Sequence, residues 1–142
     1  MSVSRKEIYS YIATLFSGIT KNIYRVTIPE TLGTDAITNG FIVLTMDGIR
    51  DYSEFNSGTY SQVRVNVEYY VPSISTSSAS GIMNTVKFDA AQQAVDTIIE
   101  AEYEKTNQAY TISKDDILST DDFFTNKTNS FFVYIKSFIV TN

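Results

Sequence analysis

At 142 residues, with 43% hydrophobic and 19% charged side chains, the chain has the material for one domain, 1–142, with a sizeable core. It contains no Cys and no His, which excludes a disulfide framework, a thiolate metal site, and the usual general base and metal ligand. A net charge of −5 argues against a nucleic-acid binder, and no apolar run approaches membrane-spanning length. The first helix is too polar for a signal peptide.

In chain order, Ser4 and Glu7 form a capping box and Val3 and Ile8 occupy the hydrophobic-staple positions, which predicts a helix from about Arg5 to Ser17. Ile8, Ile12, Leu15, Phe16 and Ile19 make its buried stripe, and Gly18 is the expected left-handed C-cap. Ile23 to Ile28 alternates as a strand and stops at Pro29. Glu30 to Asn39 lacks periodicity and is expected to be a surface loop. Phe41 to Met46 is a continuous apolar run, suited to a strand covered on both faces, and Asp47-Gly48 is expected to end it as a turn. The stretch Ile49 to Thr59 has loop composition but carries Ile49, Tyr52 and Phe55. These either fold back on the sheet or are held for a neighbouring subunit.

Tyr60 to Val71 is the most regular strand. Val63, Val65, Val67, Tyr69 and Val71 fall on one face, expected to be the core. Gln62, Arg64, Asn66, Glu68 and Tyr70 fall on the other, expected to meet water or a partner. Pro72 to Gly81 is a Ser-rich link. Asn84 to Glu104 is an amphipathic helix with Phe88, Ala91, Ala94, Val95, Ile98, Ile99 and Tyr103 on one half. Its other half is an acidic face with Asp89, Asp96, Glu100 and Glu104. Ala109 to Ser113 reads as a short strand, Asp115 to Asp122 as a polar excursion, and Ser130 to Thr141 as a last strand apolar on both faces. One of those faces needs a helix and the other a further cover, which a second subunit could supply. The fold class is therefore α+β: a mixed, mainly antiparallel sheet of about five strands with two helices packed on it, ordered α-β-β-β-α-β-β.

Charge is uneven along the chain. Between Asp89 and Asp122 nine acids face only Lys105 and Lys114, a net of −7, which leaves +2 for the rest. That split suits head-to-tail subunit contact, and equally a solvated surface. No phosphate-binding glycine loop or nucleophile elbow is present. The pairs Asp115/Asp116 and Asp121/Asp122 lack the spacing and obligatory glycine of a Ca²⁺ loop, and paired carboxylates for glycoside hydrolysis have no pocket to serve. No metal, cofactor or catalytic residue is expected, and the chain reads as a non-enzyme.

The succession of the helix Ser4–Ser17, the strand ending at Ile28-Pro29, the run Phe41–Met46, the strand Tyr60–Val71, the helix Asn84–Glu104 and the aromatic strand Phe131–Val140 covers nearly the whole chain. It resembles the small tail-terminator and tail-completion (head–tail joining) proteins of tailed bacteriophages. The resemblance implies a virion structural protein, assembled in the host cytoplasm, that forms a closed ring at the head-proximal end of the tail. Six subunits are favoured and twelve are possible. Its partners would be further copies of itself, the neck or connector, and tail proteins, with DNA passing through unbound and no membrane involved. The subunit-interface candidates are Arg50, Tyr52 and Phe55 on one side and Asp115, Asp116, Asp121 and Asp122 on the other, aromatic anchors with opposite charge giving direction. Arg25, Arg50 and Arg64 would form a basic patch if DNA did bind. Alternatives are another self-assembling tail-tube or secretion-apparatus subunit, and a small monomeric binding module.

Overall fold

A computed structural model describes residues 5–51, 60–74, 82–105, 110–115, 120–126 and 129–141. Among them the order is α1 (Arg5–Phe16), β1 (Ile23–Arg25), α2 (Thr34–Asn39), β2 (Phe41–Asp51), β3 (Tyr60–Pro72), α3 (Thr85–Tyr103), β4 (Thr111–Lys114), β5 (Thr120–Asn126) and β6 (Asn129–Thr141). The class is α+β with a mostly antiparallel sheet of six strands, one more strand and one more helix than expected.

The alternating strand β3 lies at the centre of the sheet, between β2 and β6, in the order β1-β2-β3-β6-β4. Only β1 runs parallel to its neighbour, β2. Val67 sits opposite Leu44 on one side and Lys136 on the other, and Tyr70 opposite Phe41 and Val133. The outer edge of β6 is shared: β5 takes positions 129–135 and β4 positions 138–141.

The period-two pattern of β3 then divides the interior into two cores. On the first face Val63, Val65, Val67 and Val71 are buried with Leu44, Phe138 and Val140 beneath α1 and α3, which contribute Ile8, Ile12, Phe16, Phe88, Val95 and Ile99. The helical stripes read from the sequence face the sheet as expected. Asn84 caps α3, its side chain accepting the Lys87 N–H at 3.2 Å. Ser4 and Val3, the capping and staple residues of α1, lie outside the described residues.

The second face corrects two expectations. Tyr70, assigned to water or a partner, is buried, stacked on Phe41 at 4.5 Å with 10° between the planes. The far side of β6, for which a second subunit was one expected cover, is covered at Phe131 and Val133 by this chain's own Leu32 and Ala36, with Ile28, Ile37 and Phe124 around them. The cover arises because 30–39 is not all loop. It contains the helix α2, which presents Ala36 inward. A six-residue helix is too short for a periodic signal in sequence. Gly40 ends it at φ +93, where a Cβ would collide with the Tyr70 carbonyl oxygen, so only glycine lets the chain turn directly into β2.

Four boundaries also differ. Asp47-Gly48 does not end β2. The strand runs on to Asp51, and a register shift between Asp47 and Arg50 takes up an extra residue as a bulge. β1 stops at Arg25 rather than Ile28, because Val26 adopts φ +73 and the Thr27 N–H donates back to the Arg25 carbonyl at 2.8 Å. That is the rare γ-turn geometry, unfavourable for a β-branched residue. Gly18 is not left-handed: among the described residues positive φ occurs at Val26 and Gly40, and α1 closes with the Ile19 N–H on the Phe16 carbonyl. The polar excursion after Asp115 contains β5, which pairs with β6 through Phe123 and Phe124 despite the two aspartates before them.

Candidate interaction surfaces

The described pairing of β2 with β3 ends at Asp51 and Tyr60. Arg50 is placed there in backbone register with Gln62, whereas Tyr52, Phe55 and Asp116 lie outside the described residues. Asp115 does not present a free carboxylate to a neighbour. It closes on Arg64 with Nε and Nη2 at 2.5 and 3.3 Å from its two oxygens, and its side chain is 3% exposed. A bidentate pair of this kind holds the chain after β4 against the face of β3. The partners are 51 residues apart, so sequence spacing carries no sign of them. The same pair removes Arg64 from any basic patch. Arg25, on the edge strand β1, sits near Ser10 instead, at 3.4 Å.

Asp121 and Asp122 are both exposed on β5, but successive strand residues point to opposite faces. Asp121 is in register with Tyr134 of the first core and Asp122 with Val133 of the second, so the two acids do not form one patch. Phe123, 43% exposed, rests on Phe132 at 5.0 Å.

The acidic face of α3 is also less uniform than its helical wheel implies. Asp89, Glu100 and Glu104 are exposed. Asp96 leans to the sheet, where the Tyr134 hydroxyl donates to it at 2.6 Å and Lys136 Nζ stands at 3.6 Å. Glu102 is the acid that sequence reasoning missed: it is 5% exposed, accepts from the Tyr11 hydroxyl at 3.1 Å and pairs with Lys105. Its signal was present, since 88, 91, 95, 99 and 102 continue a single stripe of three- and four-residue steps. Burial first, and then the Glu102 charge, raises the Tyr11 pKa and keeps the phenol a donor. Tyr11 packs on Tyr110, whose hydroxyl in turn donates to Glu7 at 3.1 Å.

Exposed apolar side chains occur just past the other end of β3 and in the first turn of α3. Ile74 and Ile82 are 57% and 58% exposed and are joined by an N–H to carbonyl bond of 2.8 Å, and Val86 in the first turn of α3 is 79% exposed. Beside them a cavity of about 250 Å³ opens between α3 and the sheet, lined by Ile19, Tyr69, Pro72, Lys87, Ala91 and Ala94. The small alanines of α3 leave this space.

Among the described residues no group of three or more Asp or Glu side chains is placed to hold a metal ion, and no helix is long and apolar enough to cross a membrane. Compared with known proteins, the chain matches no family model and no curated protein.

Proposed function

We propose that the chain is a non-enzymatic virion protein, a tail terminator or head–tail connector that closes into a ring at the head-proximal end of a phage tail. It joins tail to neck and lets DNA pass without binding it. The observation that carries the reading is the exposure of the apolar side chains Ile74, Ile82 and Val86, just past the end of β3 and at the start of α3. An apolar surface that meets a different surface on the next copy is what a heterologous contact needs, and such contacts close into rings when the rotation allows. A monomer gains nothing from leaving these aliphatic side chains in water. The element order and the acidic segment Asp89–Asp122, which repels a polyanion, support the same reading.

Native mass spectrometry over a concentration series, alone and with neck or tail-tube proteins, tests it, together with electron microscopy of the largest species. A closed ring, six-fold favoured and twelve-fold allowed, is expected. Changing Ile82 and Val86 together to Asp should abolish the ring while the monomer stays folded, and Tyr52→Ser with Phe55→Ser should do the same. An open-ended tube would point to a tail-tube or secretion-apparatus subunit. A protein that stays monomeric under every condition, or that binds DNA tightly at physiological salt, defeats the proposal.

A further inference from the structure

A second cleft lies on the other face of the sheet, away from α1 and α3, and its chemistry is distinct from the apolar end. The segment after β1 forms one wall, with Val26, Ile28 and Glu30. The sheet supplies the floor, with Val43, Thr45, Glu68 and Tyr70, and β5 closes the far side with Phe124 and Asn126. The space measures about 440 Å³, large enough for a long side chain and part of its backbone. The γ-turn at Val26 sets the near wall, because it takes the chain out of the sheet immediately after the Val26 N–H has bonded to the Leu44 carbonyl at 2.8 Å.

Glu68 is the unusual residue of this cleft. It stands half-buried in the central strand with Val43 and Ile135 as its cross-strand neighbours. Among the described residues its one hydrogen bond comes from the Tyr70 hydroxyl at 2.8 Å, and no basic side chain pairs with it. The nearest strand cations are committed elsewhere: Arg64 to Asp115, and Lys136, on the opposite face, to Asp96. Burial first, and then Glu68 itself, holds the Tyr70 pKa far above its ordinary value, so that hydroxyl remains a donor and cannot add charge. Asp122 also lies close enough to act on Tyr70, and Glu30 stands at the rim. Among the described residues the cleft is therefore negative, and it is walled by aromatic rings, with Phe124 meeting Tyr70 edge-on at 5.3 Å and 86°.

A carboxylate held in part-desolvated surroundings with one donor is stabilised by any cation that can reach it. The aromatic wall selects among cations. A guanidinium is planar and weakly hydrated, lies flat on an aromatic face, and bonds a carboxylate through two N–H groups, whereas an ammonium is a compact, strongly hydrated point charge. We propose that this cleft is a docking site for an arginine side chain of a partner polypeptide, with Glu68 as the carboxylate it bonds and Phe124 as the ring it lies against. The proposal stands independently of the ring: it concerns a different face of the molecule and requires no particular assembly.

The test is a titration of the ¹⁵N-labelled protein with the capped tripeptide Gly-Arg-Gly, followed by amide chemical shifts at low and at physiological salt. Saturable shifts confined to the residues around Glu68, Thr45, Tyr70 and Asn126 are expected, weakening as salt rises. The neutral citrulline tripeptide should give none, and the lysine tripeptide should bind several-fold more weakly. Glu68→Gln should weaken binding about five- to tenfold, the worth of a partly exposed charge pair. Asp121→Asn, on the opposite face of β5, should leave it unchanged. Phe124→Leu should narrow the preference for arginine over lysine. Equal shifts with citrulline, an unaltered affinity in a folded Glu68→Gln variant, or no preference for arginine over lysine would each overturn the assignment. So would the same shifts on raising protein concentration alone, which would give the cleft to a second copy of this chain.

Discussion

On one face of β3, Val63, Val65, Val67 and Val71 are buried in a cluster of eighteen side chains roofed by two helices. On the other, a cluster of seven covers Tyr70 at one end, while Arg64, Asn66 and Glu68 stay half-exposed. The two faces belong to the same strand, so backbone geometry cannot account for the contrast. What differs is how each side chain is satisfied. The valines need only bulk around them. Asn66 donates to Thr45 Oγ1 at 3.2 Å and accepts from the Ser137 hydroxyl at 2.5 Å, and Arg64 has Asp115. A face covered at one end by a six-residue helix must satisfy its remaining positions by polar pairs, one at a time, and among the described residues Glu68 is where that pairing falls short.

The contrast is broken most severely by Val67→Asp, which buries a carboxylate without a partner and should cost about 5 kcal/mol or more, the scale of the whole stability margin. Asn66→Asp, the next residue on the open face, keeps an acceptor for Ser137 and loses the donor to Thr45, for about 1 kcal/mol. Urea denaturation of both variants measures the difference, and equal losses would mean that the two faces are not distinguished as described. The smaller core is not dispensable, however. Phe131→Ala removes the ring that joins Phe41 and Tyr70 and should cost about 3 kcal/mol. A loss under about 1 kcal/mol in the same assay would show that the second cluster is only loosely packed.

The smallest effect concerns pH. Burial raises the Tyr69 and Tyr70 pKa values above the ordinary 10.0, Tyr70 with further help from Glu68. A folded-state pKa above the unfolded one means that the folded chain holds the proton more tightly. The stabilisation is therefore complete below pH 10 and is lost as pH rises beyond it. Thermal melts above pH 10 should fall more steeply for the parent than for Tyr70→Phe, and parallel curves would remove Tyr70 from the alkaline response.

Long periodic elements were legible in the sequence because one physical rule repeated along them: valines every second residue in β3, and Phe88, Ala91, Val95 and Ile99 along α3. What escaped was short or long-range. α2 spans too few residues to repeat, and the turn at Val26 defies that residue's own preference. β5 was hidden because Asp121 and Asp122 oppose strand formation locally, while its pairing with β6 supplies the compensating hydrogen bonds. Of the interface candidates, Asp115 read as a surface acid until the fold brought Arg64 to it, and Asp121 and Asp122 read as a pair until the pleat separated them. The cleft at Glu68 left no sequence signature, since its walls come from four separate segments.

The two borders of the sheet bear on how this protein behaves when crowded. An unpaired strand is a template on which further strands stack into fibrils. Here one border offers the three residues of β1 and then the outer side of β2 from Thr45 to Asp51, which carries Asp47, Arg50 and Asp51 and is broken by a register shift. The other is divided between β4 and β5, and β5 sets adjacent aspartates along its outer side, one toward each face. Neither border gives an incoming strand a long, neutral register to follow. Among the described residues, stacking of copies backbone to backbone is therefore disfavoured at both borders.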